Sequence, residues 1–484
     1  MILDEAIELG GDEGLELVKV LVLRAGEAGN SWNDQPWFFT QVLRVALDLI
    51  GDHIWVPRFL VALMALAMLC AAGYIVFGKL KFLIVLPLIG CWLMSPDILD
   101  LNLSAMVEVP AFALMTMAIA LAKLGSESRR LLPLLASGIL AGIACQTKLV
   151  AALFLPALVV VVIVGSLMPG RLATCPTPEF SWVSRRWRSV RNMCWVGGFA
   201  GLAFGLVLIF SPSWSWDQLW VNHVKASASN AVITDHNYEF TWRYLLYHEE
   251  SLVGIILGVV CLALNRQWAA LSGFAAMYGV SLLIHLNHKP FWYYYYVHLA
   301  VPASALSAYG LVSCMGVIIG GGRGLVRQRW AIAAAGSVMG AALLLTSSGI
   351  FGVPRFWEQW QALQTAERLK DSPLMKAIRD HSHERFTMFT RRPILYFHSR
   401  LAPIPDLALL VKKRFWSGEL SEQSVVTKLI QGSPDLLHLD RRHYPSTSPI
   451  NPFLQERYTM VWNQEFDEVW VRKPGANAYP QRDP

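Results

Sequence analysis

From residue 56 onward the chain is a succession of apolar runs, and the basic residues between them fall in every second gap. The runs cover 56–78, 82–96, 105–124, 131–146, 149–168, 193–211, 251–265, 268–286, 292–320 and 330–352. A bilayer-spanning helix needs about 20 mostly apolar residues, and shorter runs serve inside a polytopic bundle. The gaps GKLK, KLGSESRR, 169–192 with SRRWRSVR, NRQ and GGRGLVRQR hold nearly all the lysine and arginine between runs. Their alternation places these five loops in the cytoplasm by the positive-inside rule. The intervening segments SPDILDLNLS, QTK, 212–250 and NHKPF then face outward, as do both termini. The expected fold is a polytopic α-helical membrane protein of about ten transmembrane helices.

Composition agrees: only 16% of the 484 residues are charged, against about 25% in soluble domains. The net charge of +6 calls for no nucleic acid, because the basic residues sit in short clusters that act as topology signals. Seven cysteines are scattered without a CxxC pair, which argues against a disulfide framework or a zinc site. The opening ILDEAIELGG has no basic region followed by an apolar one, so no cleavable signal peptide is expected. Residues 1–353 read as the membrane domain, with a first outer loop over 1–55. Residues 354–484 read as a small soluble α/β domain on the outer face. It would hold an amphipathic helix (FWEQWQALQTAERL), strand-like runs in RFTMFTR, PILYF, YTMVW and EVWVRK, and a helix-then-strand in SEQSVVTKLIQGSPDLLHL. That tail carries no phosphate-loop, HExxH or GxSxG motif.

With this topology the conspicuous polar residues gather on one side of the membrane. Asp12, Glu13 and WNDQP precede the first span, and Arg58 marks its outer end. Asp97, Asp100 and Glu108 belong to the next outer segment; Lys148 stands alone between two apolar runs; HKPFWYYYYVH supplies His288, Lys289 and four tyrosines. Most of these have an ordinary explanation. Loop carboxylates are solvated, Arg58 and Lys148 can snorkel, and tyrosines at a membrane edge form an interfacial belt. Glu108 and Lys148 are harder to dismiss, since an ionisable group inside an apolar run costs a few kcal/mol unless paired or wet. Carboxylates can take a proton from an acceptor hydroxyl, and lysine, arginine and histidine can hold a leaving phosphate. A phosphate leaving at the lipid surface belongs most naturally to a lipid-linked substrate.

At this point the sequence resembles GT-C glycosyltransferases of the protein-mannosyltransferase type, the group that includes the aminoarabinose transferases of lipid A. The resemblance is carried by the acidic pair Asp12-Glu13, by Asp34-Gln35-Pro36-Trp37 with the run from Gly51 to Arg58, and by Glu108-Val109-Pro110. GILAGIACQTK ending at Lys148 and HKPFWYYYYVHLAVP complete it, over residues 10–310. It implies transfer of a sugar from a polyprenyl-phosphate carrier to a lipid, glycan or protein acceptor outside the cytoplasm, with inversion. Asp12 would be the catalytic base with Glu13 beside it, and Glu108 the second acid, orienting the acceptor or helping hold a metal. Arg58, Lys148, His288 and Lys289 would contact the carrier phosphate. Within the run Tyr293 to Tyr296, Tyr293, Tyr294 and Tyr296 would line the lipid or sugar groove. No cofactor is required by the residues; a divalent metal at Asp12 and Glu108 stays open. The location implied is a bacterial inner membrane, with the site and the tail facing the periplasm.

Two departures accompany the resemblance. Relatives carry a transmembrane helix before the first outer loop, whereas this sequence starts in that loop; a gene model that begins late is the expectation, insertion without that helix the alternative. Glu108 stands where relatives often have aspartate, which keeps the charge and changes its reach. Competing functions are a transporter or flippase of lipid-linked sugars, which would favour internal repeats and mid-membrane charges, and a non-catalytic family member.

Overall fold

A computed structural model describes residues 12–33, 35–78, 88, 106–168, 182–211, 216–225, 249–287, 295–320, 353–383, 385–445 and 447–475. The chain separates into two compact units. One holds residues 58–211 and 234–359; the other gathers 1–57, 212–233 and 360–484. Residues 360–484, most of the span 354–484 expected as the soluble domain, share a unit with the N-terminal segment.

The membrane unit is all-helical. After α1 (Asp12–Arg24) and α2 (Phe38–Ile50) of the other unit, its helices are α3 (Trp55–Phe77), α4 (Glu108–Ser128), α5 (Leu131–Thr147), α6 (Leu155–Leu167) and α7 (Trp182–Phe210). Past α8 (Trp216–Trp220), which belongs to the other unit, come α9 (Glu249–Leu264), α10 (Trp268–Asn287) and α11 (Tyr296–Gly320). Among the described residues six helices are long and apolar enough to cross a membrane, and two shorter apolar ones, Leu131–Thr147 and Gly254–Leu264, lie with them. The protein is a multi-pass membrane protein. The expected runs 82–96 and 330–352 lie outside the described residues, apart from Leu88.

Lipid gives helices no hydrophobic reason to associate, so small residues that admit close backbone approach set the contacts. On α5 the stretch GILAG places Gly138 against α7, where a Cβ would lie 2.5 Å from the Val196 carbonyl oxygen. On α9 the stretch GIILG does the same against α11: a Cβ on Gly254 would meet Ser307 Oγ at 2.6 Å, and one on Gly310 the Gly258 amide nitrogen at 2.5 Å. Side chains at these positions would force the helices apart.

Helix α12 (Val353–Leu369) runs across residue 359, where the division between the units falls; in the other unit α13 (Pro373–Asp380), α14 (Pro393–Ser399), α15 (Lys412–Trp416), α16 (Glu422–Gly432) and α17 (Ile450–Arg457) accompany one mixed sheet. Its strands are β1 (Thr387–Phe389), β2 (Ala402–Pro403), β3 (Leu436–Asp440), β4 (Tyr458–Gln464) and β5 (Asp467–Arg472), in the order β2-β1-β3-β5-β4. β1 runs parallel to β2 and β3, while β5 is antiparallel to β3 and β4. The central strand β3 is buried along its whole length, and Phe389, Leu437 and Leu439 pack with Val425, Leu429, Leu454 and Tyr458. RFTMFTR, YTMVW and EVWVRK contain strands as expected, and SEQSVVTKLIQGSPDLLHL gives α16, with a Ser421–Ser424 capping box, then β3. PILYF is a correction: it is helix α14. Pro393 stands at its start, where a fixed φ favours a helix, and Arg400 closes it in the left-handed region at φ 58°.

Within this unit α1 packs on α14, where Gly14 lies so close to Pro393 that a Cβ would sit 2.7 Å from the ring. Glu16 is buried, paired with Lys19 at 2.7 Å and accepting the Thr40 hydroxyl at 2.7 Å. Arg24 joins Asp48 and Asp52, and Arg400 reaches Asp52 at 3.2 Å.

Candidate active site

Glu108 opens α4 and is fully buried. Its carboxylate stands at a helix N-terminus, where unpaired amides favour negative charge. Pro110 follows within the first turn, where its missing N–H breaks no helical hydrogen bond. Lys148 marks the end of α5. Its extended backbone (φ −154°, ψ 128°) stops that helix, and a 3-10 turn, Leu149–Phe154, leads into α6. The break brings the Lys148 ammonium onto Glu108 Oε1 as a buried ion pair. Breaking such a pair on one side strands a charge in low dielectric.

Two histidines lie beside this pair. His285, in the last turn of α10, and His298, in the first turn of α11, are both buried and share a hydrogen bond of 2.9 Å between His285 Nε2 and His298 Nδ1. Their rings stack with centroids 5.0 Å apart, and Tyr295 stacks on both, at 5.2 Å from His285 and 5.4 Å from His298. His298 also packs at 4.3 Å on Phe112 of α4, one turn beyond Glu108, and Phe112 meets Phe154 at 4.6 Å. His298 Nε2 has no hydrogen-bond partner among the described residues. Four elements, α4, the α5–α6 break, α10 and α11, thus place a carboxylate, an ammonium, two imidazoles and a phenol together inside an apolar bundle. The ammonium can neutralise an anionic group, and the carboxylate can accept a proton or a hydroxyl.

Of the residues singled out by sequence, Glu108 and Lys148 come together here. Arg58 is buried in the first turn of α3, in the same unit. Asp12 and Glu13 begin α1 in the other unit; their side chains lie outside the described residues, as do Asp34, His288, Lys289, Tyr293, Tyr294 and the side chain of Tyr296. The WNDQP stretch is engaged within its own unit. Trp32 Nε1 donates to Glu419 at 3.1 Å, the Arg414 guanidinium covers the Trp32 ring at 4.7 Å, and the Asn33 amide donates to Gln218 at 2.9 Å. His285 and His298 were not singled out by sequence. The available signal was their position, an ionisable ring within an apolar run.

No family model and no curated relative matches the chain. Solved structures do. ArnT from Cupriavidus metallidurans bound to undecaprenyl phosphate superposes with a TM-score of 0.59 at 16% identity, covering 98% of this chain and 96% of that one. The same protein in the apo state gives 0.61 at 15% identity, covering 95% and 93%. This chain has the ArnT fold. The polytopic helical fold expected from the sequence is the one observed among the described residues, with a small sheet-bearing region at the C-terminal end.

Among the described residues no three His, Cys, Asp or Glu side chains come together as a metal-holding group. At Glu108 the counter-charge is Lys148, so a divalent ion on Oε1 would have to displace an ammonium.

Proposed function

We propose that the protein is a membrane glycosyltransferase that moves a sugar from a polyprenyl-phosphate carrier to an acceptor hydroxyl on the outer side of the membrane, with inversion. The observation that carries this reading is the ArnT fold over nearly the whole chain, in a relative whose crystal structure holds undecaprenyl phosphate. The buried Glu108–Lys148 pair supplies charged groups of the kind such a donor needs.

In this mechanism the acceptor oxygen attacks the anomeric carbon from the face opposite the carrier phosphate. Its proton passes to Asp12, with Glu13 beside it, as the carbon–oxygen bond to the phosphate breaks and the electron pair stays on the phosphate oxygen. General-base catalysis of this kind contributes about 10²–10⁴-fold. Arg58, Lys148, His288 and Lys289 neutralise the leaving phosphate, Glu108 orients the acceptor, and Tyr293, Tyr294 and Tyr296 line the lipid or sugar groove. Lys148 is shared between Glu108 and the incoming phosphate, so the carboxylate holds the ammonium in place until the donor arrives.

The test is sugar transfer from a polyprenyl-phosphate sugar in membranes carrying the full-length protein. Asp12→Asn is expected to lose about 100-fold or more of the transfer rate. Equal transfer by wild type and variant would remove Asp12 as the base. Absence of transfer by wild type, with movement of lipid-linked sugar between leaflets, would make the protein a flippase.

A further inference from the structure

The histidine pair has no part in the reaction just described, yet it is buried and hydrogen-bonded, and it packs on the helix that carries Glu108. Two geometric constraints converge on His298. Its Nδ1 is tied to His285 on α10, and its ring is seated between Tyr295 and Phe112, the latter on the helix that carries Glu108. The Lys148 side chain is long and has three freely rotating donors, so its ammonium is held only as well as the surrounding wall permits. His298 packs on Phe112, one turn from Glu108, and Phe112 in turn meets Phe154 at the end of the short turn that follows Lys148.

We propose that His298, held in orientation by its hydrogen bond to His285, is a positioning residue for Lys148. Through it α10 and α11 confine the ammonium to the Glu108 end of the bundle, where the carrier phosphate is met. The role of Lys148 toward that phosphate rests on the function proposed above; the confinement of its ammonium does not.

Two substitutions separate the hydrogen bond from the shape. His298→Phe keeps an aromatic ring against Phe112 and Tyr295 and loses the bond to His285. His298→Asn loses the ring and keeps a polar atom near the Nδ1 position. The first readout is independent of catalysis: the rate at which an amine-reactive reagent labels Lys148 in the full-length protein in lipid nanodiscs, by mass spectrometry. His298→Phe is expected to speed labelling about fivefold to tenfold, the scale of one hydrogen bond, at a temperature where both proteins are fully folded, and His298→Asn to restore slow labelling. The second readout is the split between KM and kcat for the polyprenyl-phosphate sugar. His298→Phe is expected to raise KM by a similar factor with little change in kcat. Labelling unchanged in His298→Phe, or a loss confined to kcat with KM unchanged, would overturn the proposal. Wild type that transfers no sugar but shows the labelling response would overturn the function and leave the positioning role standing.

Discussion

His438 in the sheet domain and His298 in the membrane unit are both almost wholly withdrawn from solvent, and they differ in how their ring nitrogens are met. His438 Nδ1 bonds Thr390 Oγ1 at 2.8 Å and its Nε2 bonds Asp467 at 3.3 Å. A hydroxyl, an imidazole and a carboxylate in a row is the order of a nucleophile, its base and the group that orients the base. The surroundings argue otherwise. Thr390 is 2% exposed, its hydroxyl also accepts the Arg392 amide at 3.0 Å, and Arg392 bridges Asp467 and Asp440. Every polar atom in that row is engaged in holding β1, β3 and β5 together, and the hydroxyl is closed to a substrate. His298 has one nitrogen tied to His285, and the other is without a hydrogen-bond partner among the described residues. It also lies in a bundle where polar groups are few. An aqueous domain tolerates many charges in networks, so a well-made network there is weak evidence of chemistry. In a membrane unit the same density of ionisable groups is costly, and its retention points to function.

The sharpest way to break that contrast is to take apart the Glu108–Lys148 pair. Lys148→Met or Glu108→Leu alone is expected to destabilise the membrane unit by about 3–5 kcal/mol, because each leaves a buried charge without its counter-ion. The double variant should recover most of that stability, having removed both charges, and still fail to transfer sugar. Thermal unfolding in detergent and the transfer assay together check this. Single variants that melt like wild type would make the pair as dispensable as a surface salt bridge.

Thr390→Val tests the other side. It keeps the shape, removes the hydroxyl from His438 and from the Arg392 amide, and is expected to cost about 1–3 kcal/mol of domain stability. Transfer per folded molecule should be unchanged. Loss of transfer at wild-type stability would turn the Thr390–His438–Asp467 row into an active site and reverse the comparison.

The membrane architecture was legible because it depends on a local quantity, the length of apolar runs. Glu108 and Lys148 were legible for a related reason, each being an ionisable residue inside an apolar run. That they touch was not, since it depends on the packing of α4 against the end of α5. His285 and His298 escaped notice because a single histidine in an apolar run reads as core, and only α10 against α11 shows that they bond. PILYF read as a strand from its apolar content, whereas Pro393 and the left-handed Arg400 make it a helix. The partner of Trp32 is Glu419, 387 residues away, a contact no local pattern announces. Asp12 remains a reading carried by resemblance and motif order.

The smallest effect in the contrast is a slope with pH. Burial pushes the His438 imidazole below its ordinary value; Asp467, by hydrogen bond and charge, pulls it back up, while the Arg392 charge adds to the lowering. The folded domain therefore resists protonation at His438, while the unfolded chain takes up that proton near pH 6.5. Below that value the unfolded state binds more protons, so stability is fully present above it and is lost as the pH falls toward the depressed folded value. His398, likewise held low chiefly by burial, moves the same way, so the informative quantity is the difference between wild type and His438→Gln, which does not titrate. Urea unfolding of the full chain in detergent, followed by proteolysis of the region 373–472, should show wild type losing stability between about pH 7.5 and about pH 5.5. His438→Gln should lose less over the same interval. Equal slopes would mean that the doubly bonded His438 does not govern its domain's response to acid, and would weaken the claim that full hydrogen bonding marks it as structural.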